Sequence, residues 1–172
     1  MSSARRQPVL LDTSVLINFL ATDRIDLLAD HPRYCFVVTE HVRREVTSHY
    51  QEQTTRLEAA LRDSALEETR VESVEELALF AQLTGNPRLG LGECAAIAAA
   101  VARTQPVAID DKAARKAGLE LDPGLQMMDT QAIVLSLVRL GTLAVQQADA
   151  LKDAFARDCS FQLKIASFRD LL

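Results

Sequence analysis

The stretch that most limits what this chain can become is residues 8–20, PVLLDTSVLINFL. A short apolar run, Val9-Leu10-Leu11, ends in Asp12. Thr13 and Ser14 follow, and then apolar residues at helical spacing: Val15, Leu16, Phe19 and Leu20. The pattern predicts a buried strand, a tight turn, and a helix capped by hydroxyl or carboxylate side chains. Asp12 then stands at the carboxyl end of a strand, where open α/β sheets place their ligands.

The remaining chain alternates the same two patterns. Residues 23–30 predict a short helix, 34–38 a second strand, and 40 to about 50 a helix capped by Thr39. Residues 51–83 are mostly helical, with Leu57, Leu61 and Ala65 as one apolar stripe and Leu77, Phe80, Ala81 and Leu83 as another. Between them, 69–74 suits a short strand, and Gly85-Asn86-Pro87 breaks the pattern. A dense helix of small residues follows at 91–103, LGECAAIAAAVAR. Strands are expected at 107–109 and 125–128, and a helix at 112–117 closed by Gly118. Helices at 130–140, ended by Gly141, and at 144–155 precede a weakly apolar, helix-like tail. Alternating strands and helices predict a three-layer α/β/α domain around a central parallel sheet. No repeat or linker divides residues 1–172, so one domain is expected.

Composition narrows the function classes. The net charge is −5, so no general basic field draws in nucleic acid or membrane; any nucleic-acid contact must come from local patches. The 3 cysteines, Cys35, Cys94 and Cys159, are far apart and in no metal-like spacing. They suit a reducing cytoplasm better than a disulfide framework. The polar start MSSARRQ is too short for a signal peptide, and the Ala-rich run is too short to span a bilayer.

The carboxylates carry the chemistry. Asp12 ends the first strand, and Asp110-Asp111 end a later one. Glu45 lies beside Val42 and Val46 on its helix, and Glu93 falls in the first turn of the small-residue helix. A parallel sheet puts strand ends and the following helix starts on one edge, so these dispersed acids can converge. A carboxylate cluster repels itself unless a cation is present. Hard oxygen donors without a Cys/His set suit Mg²⁺ or Mn²⁺, which can activate water and clamp a phosphate. Each acid alone has a plainer reading. Asp12, Asp110 and Asp111 could cap helices, Glu93 could complement a helix dipole, and Glu45 could be a solvated helix residue. Their joint placement makes the metal argument.

Four segments in order, VLLDTSVLINFL, VVTEHVRREV, LGLGECAAIAAAVA and VAIDDKAARKAG, resemble the PIN-domain family of metal-dependent ribonucleases, which includes the VapC toxins of bacterial toxin–antitoxin pairs. The resemblance spans residues 8–118; the tail FQLKIASFRDLL adds a weaker match to a subgroup with "GE" and "DD" signatures. It implies an endoribonuclease with Mg²⁺ or Mn²⁺ held by Asp12, Glu93 and Asp110 or Asp111. Glu45 completes the catalytic set, and Thr13, Ser14 and Asn18 support it through hydrogen bonds. It also implies an RNA substrate, an antitoxin protein as partner, a homodimer and a cytoplasmic setting. Residues 51–84 match nothing in the small toxins.

Other readings remain open on the residues alone. The fold could serve as an RNA- or protein-binding module with little nuclease activity. A phosphotransferase with Asp12 as nucleophile would carry a second aspartate where Ser14 stands. His41, Glu45 and His49 share a helix face and could suit zinc, although no HExxH order is present. Arg43, Arg44, Lys112, Arg115 and Lys116 lie near the acids and could hold RNA phosphates or merely pair with the acidic excess. With 6 Phe, 2 Tyr and no Trp, the composition gives little support for a base-stacking platform.

Overall fold

The computed structural model describes residues 6–172; the polar start, residues 1–5, lies outside it. Its centre is strand β1 (Gln7–Leu11), which pairs in parallel with β2 (Tyr34–Thr39) on one side and with β4 (Val107–Ala108) on the other. Strands β3 (Glu67–Thr69) and β5 (Met127–Met128) extend the sheet in the order β3-β2-β1-β4-β5, all parallel.

The alternation of side chains along the strands divides the interior in two. Val9, Leu11, Phe36, Val38 and Ala108 face one core, while Leu10, Val37, Val107 and Ile109 face the other. The first core is covered by α1 (Thr13–Ala21), α2 (Asp26–Ala29), α3 (Glu40–His49), α4 (Gln51–Arg62), α8 (Thr130–Arg139) and α9 (Val145–Asp158). The second lies under α5 (Val74–Thr84), α6 (Leu91–Arg103) and α7 (Lys112–Leu121). The architecture is the three-layer α/β/α sandwich expected. Among the described residues no helix is long and apolar enough to cross a membrane.

Several boundaries differ from the sequence reading, each for a local reason. The third strand is 67–69 rather than 69–74, because the backbone leaves the ladder after Thr69. There the Arg70 carbonyl accepts from Arg103, and the Val71 N–H donates to the Glu40 carboxylate. The last strand loses Leu125, whose N–H is tied in a turn to the Asp122 carbonyl. Ala65 falls beyond α4, in the turn that follows, though it still packs on the core. Gly118 does not end its helix: α7 runs through it to Leu121. A Cβ there would displace the tip of the Met127 side chain, which packs over this glycine. The tail forms only a short 3-10 turn, Phe168–Leu171, with Phe168 fully buried.

Residues 51–84 add bulk around the framework and brace it. Leu57 and Ala60 of α4 enter the first core. Arg56 donates to the Leu20 and Ala21 carbonyls, meeting the bare C-terminal end of α1. Ser73 and Glu76 form a capping box at the start of α5. Glu76, buried, also accepts from Arg103 and fastens α5 to the end of α6.

Helix α6 owes its place to its size. Cys94 and every residue from Ala95 to Ala100 are 0% exposed, so the helix is walled on almost all sides, and apart from Ile97 the buried run is made of small side chains. Ala99→Leu should therefore overpack and cost about 1–3 kcal/mol, read as a lower midpoint in urea unfolding.

His31 supplies a second test. It is fully buried. Its Nε2–H donates to Ser136 Oγ at 2.8 Å, and its Nδ1 accepts from the Arg33 and Tyr34 N–H groups at 3.2 Å. Burial, with the nearby positive charges of Arg33 and Arg6, pushes the imidazole down to about 4. The unfolded chain, with an ordinary histidine near 6.5, takes up the proton first. The contribution of neutral His31 is thus whole above pH 6.5 and is lost as pH falls from 6.5 toward 4, a change of about 2 kcal/mol by pH 4.5. Comparing wild type with His31→Gln in thermal melts from pH 7.5 to 4.5 should show that loss in wild type alone.

Candidate functional site

The carboxyl edge of the sheet gathers the acids. Asp12 ends β1 and caps α1: its Oδ1 accepts from the Thr13 N–H and its Oδ2 from Ser14 Oγ, both at 2.6 Å. It is 1% exposed. Burial pushes its carboxyl up to about 7; hydrogen bonds from Ser14 and Thr13 oppose the rise, and the charges of Glu93 and Glu45 add to it. Such a carboxylate is held at a cost that a cation would relieve.

Glu45 is fixed from two sides. The Thr13 hydroxyl donates to its Oε2 at 2.5 Å, and the Gly92 N–H donates to its Oε1 at 2.8 Å. One carboxylate thereby joins α1, α3 and α6. Gly92 must be glycine for this: a Cβ would sit 2.6 Å from Glu45 Oε2 and 2.7 Å from Thr13 Oγ1. Glu93, the next residue, turns back to accept from the Gly90 N–H at 2.9 Å. Burial raises its carboxyl, helped by Asp111 and Glu45. Asp12, Glu45 and Glu93 line one open cleft of about 290 Å³, together with Thr13, Ser14, His49, Tyr50 and Gly90.

Asp110 and Asp111 part company. Asp110 Oδ1 accepts from the Thr130 N–H at 2.8 Å; its Oδ2 accepts from Thr130 Oγ1 at 2.7 Å and Asn18 Nδ2 at 3.2 Å. It ties the end of β4 to the start of α8 and, through Asn18, to α1, and neither it nor Asp111 lines the cleft. Asp111 caps α7 through its Oδ1, 2.9 Å from the Ala114 nitrogen, and its charge is felt by Glu93. Asn18 bonds Asp110 and Thr130 rather than Asp12. Among the described residues, no three His, Cys, Asp or Glu side chains stand together as a ready ion cage. The zinc face does not form: the His41 ring packs on Phe80 at 4.7 Å, and His49 Nδ1 bonds the Glu45 carbonyl. The donors at the cleft are hard carboxylate oxygens in mutual repulsion, which suits Mg²⁺ or Mn²⁺ by donor type.

The basic side chains also sort themselves. Arg43 is engaged by Glu58 and Glu68, and Arg115 donates to the Ile109 and Met128 carbonyls at the ends of β4 and β5. Lys116 stands 3.7 Å from Glu120. Among the described residues Arg44 and Lys112 pair with no carboxylate. Arg44 and Arg70 wall a polar groove on the outer side of α3.

A family model described as a PIN domain matches residues 8–166. The chain belongs to the PIN-domain family. No curated protein matches it. Among solved structures, this PIN domain is similar to a chain of the crystal structure of VapBC2 from Rickettsia felis bound to a DNA fragment from their promoter. The two share 12% identity over 72% of this chain and 98% of that one, with a TM-score of 0.48.

Three site residues of this PIN domain were not evident from its sequence. Thr130 holds Asp110 from a different helix, 20 residues away. Tyr50 reaches the cleft only because α3 ends there. Gly92 carried one signal, the Gly-Glu pair of the subgroup signature at the start of an alanine-rich helix, but nothing that said what the glycine does. Its role is testable. Glycine-to-alanine in an open helix gains about 1 kcal/mol; here the clash should outweigh that gain, so Gly92→Ala should lower the melting temperature. Most of the penalty should vanish when Glu45 is also alanine, a coupling that a double-mutant cycle measures.

Proposed function

We propose that this PIN domain is a metal-dependent endoribonuclease, the toxin of a toxin–antitoxin pair acting on RNA in the cytoplasm. The observation that carries the nuclease reading is the buried Asp12 carboxylate, facing an open cleft with Glu45 and Glu93 beside it. A divalent cation would relieve the opposition of their charges, which the capping bonds of Asp12 and Glu93 and the strut of Glu45 do not remove. Resemblance of the four segments between residues 8 and 118 to the PIN-domain family, which includes the VapC toxins, supports the toxin reading, with an antitoxin protein and a second copy of the chain as partners.

Asp12 and Glu93 would hold Mg²⁺ or Mn²⁺. Asp111 would complete the set in preference to Asp110, since both Asp110 oxygens are engaged by Thr130 and Asn18, whereas Asp111 uses one in its cap. When bound, the ion supplies Lewis acidity to the phosphate and lowers the pKa of water. Glu45, rigid between Thr13 and Gly92, orients the attacking water through the lone pairs its two hydrogen bonds leave free. Thr13 and Ser14 fix the carboxylates in place, and Asn18 fixes Asp110. Arg44 and Lys112, neither paired with a carboxylate, would attract the RNA backbone.

Asp12→Asn keeps the shape and removes one charge. Cleavage of mixed-sequence RNA should fall at least about a hundredfold, the scale of a lost electrostatic contribution to catalysis. In EDTA the native carboxyl, raised to about 7 from 3.8, is protonated before the unfolded one as pH falls. Its ionisation therefore costs stability at pH 8, and metal-free Asp12→Asn should melt at or above wild type there. Mg²⁺ or Mn²⁺ should raise the melting temperature of wild type far more than that of the variant. A wild type without metal-dependent shift, beside an Asp12→Asn that cleaves equally well, would make the carboxylates helix caps and overturn the metal-dependent nuclease reading.

A further inference from the structure

Helix α3 borders two concavities. Glu45 and His49 line the carboxylate cleft. Glu40, Arg43, Arg44 and Thr47, which recur at helical spacing on another face, line a groove of about 430 Å³. Glu68 and Arg70 complete that groove. They come from the end of β3 and the residue just beyond it, outside the four segments that carry the family resemblance.

The acids of this groove are occupied, and two of its three arginines are not. Arg43 donates to Glu58 from Nε at 3.0 Å and Nη2 at 2.7 Å, and to Glu68 from Nη1 at 2.7 Å. Both Glu40 oxygens accept from the Val71 N–H, at 3.3 and 3.2 Å. Arg44 and Arg70 are exposed, and among the described residues neither guanidinium pairs with a carboxylate. Arg70 is also held at its root. Arg103 donates to Thr69 Oγ1 and to the Arg70 carbonyl, each at 2.8 Å, and the N–H that follows is the one bound by Glu40. Two guanidinium forks from separate elements thus open into one polar groove, and each fork matches two oxygens of a phosphate.

We propose that Arg44 and Arg70 hold a backbone phosphate of the RNA away from the one that is cleaved, so that the substrate is gripped at two points around α3. The proposal rests on the nuclease reading. A helix is about 10–12 Å across, a span that a few nucleotides cover. A polyanion already bound on one face of α3 favours a phosphate of that same chain over the carboxylate of a separate partner. The grip is made equally before and during the reaction, so it lowers KM and leaves kcat in place.

Binding is read on Asp12→Asn with an RNA of mixed sequence at varied salt. Adding Arg44→Gln and Arg70→Gln should reduce the slope of log Kd against log salt by about 0.7–0.9 for each lost contact. Arg44→Lys with Arg70→Lys should keep the slope, since lysine still binds phosphate as a point charge. Lys164→Gln with Arg169→Gln, which removes two exposed charges from the tail, should leave it unchanged. On the otherwise unaltered chain with Mg²⁺ or Mn²⁺, the double glutamine variant should raise KM at least about tenfold, the scale of one charge-assisted hydrogen bond, at unchanged kcat. Shortening the RNA one nucleotide at a time from each end should give a step in kcat/KM for wild type that the glutamine variant lacks. An unchanged slope and KM in that variant, or a wild type without the step, overturns the second grip, leaves the nuclease standing and assigns the groove to an acidic protein segment. A slope that falls as far in the tail control shows a general field instead of a site and overturns it as well. Wild type that neither binds nor cleaves RNA overturns both readings.

Discussion

The inner end of strand β1 has no side in water. Its last three residues, Val9, Leu10 and Leu11, are 0% exposed, and both of its edges are hydrogen-bonded to parallel neighbours. Everything else in the fold follows from covering it. Parallel neighbours need crossover connections, which lay helices on both faces. Those connections make each strand end at the same edge, and the residue that follows β1 at that edge is Asp12.

The acids pay for that convergence in different ways. Asp12 sits deepest and has hydrogen bonds only from its own turn, so its charge is poorly compensated. Glu45 is bound by donors from two other helices. Asp110 is fully engaged in joining β4 to α8 and α1. The same residue type therefore serves as a strained charge, a strut and a clasp within one edge of one sheet. Helix α6 links these roles to packing, since its alanines let it press against the sheet while its first turn delivers both Gly92 and Glu93.

Much of this was readable before any coordinates. The strand–turn–helix at Asp12, the Thr39 cap, the placement of Glu93 in a first turn and the alternation of faces along β1 and β2 are all local patterns, each set by residues within a few positions. What escaped is decided by residues distant in the chain. Gly118 looks like a helix stop until Met127 is seen against it. The end of β3 depends on Arg103 and Glu40. Asp110 and Asp111 are adjacent and chemically identical, and only Thr130 and Asn18 separate them. Arg43 and Arg115 resembled RNA-binding cations until Glu58, Glu68 and two carbonyls claimed them.

The sheet also has short borders. In the order β3-β2-β1-β4-β5 its strands run 3, 6, 5, 2 and 2 residues, and the β3 border carries the exposed pair Glu67 and Glu68. A border strand of full length would offer a ladder of open amides and carbonyls that a neighbouring molecule could copy. Here one border is too short to guide such growth and the other is both short and negatively charged. A fold that must keep a deeply apolar sheet at its centre thus denies that sheet any template for polymerising, so crowded molecules can touch one another without knitting into fibres.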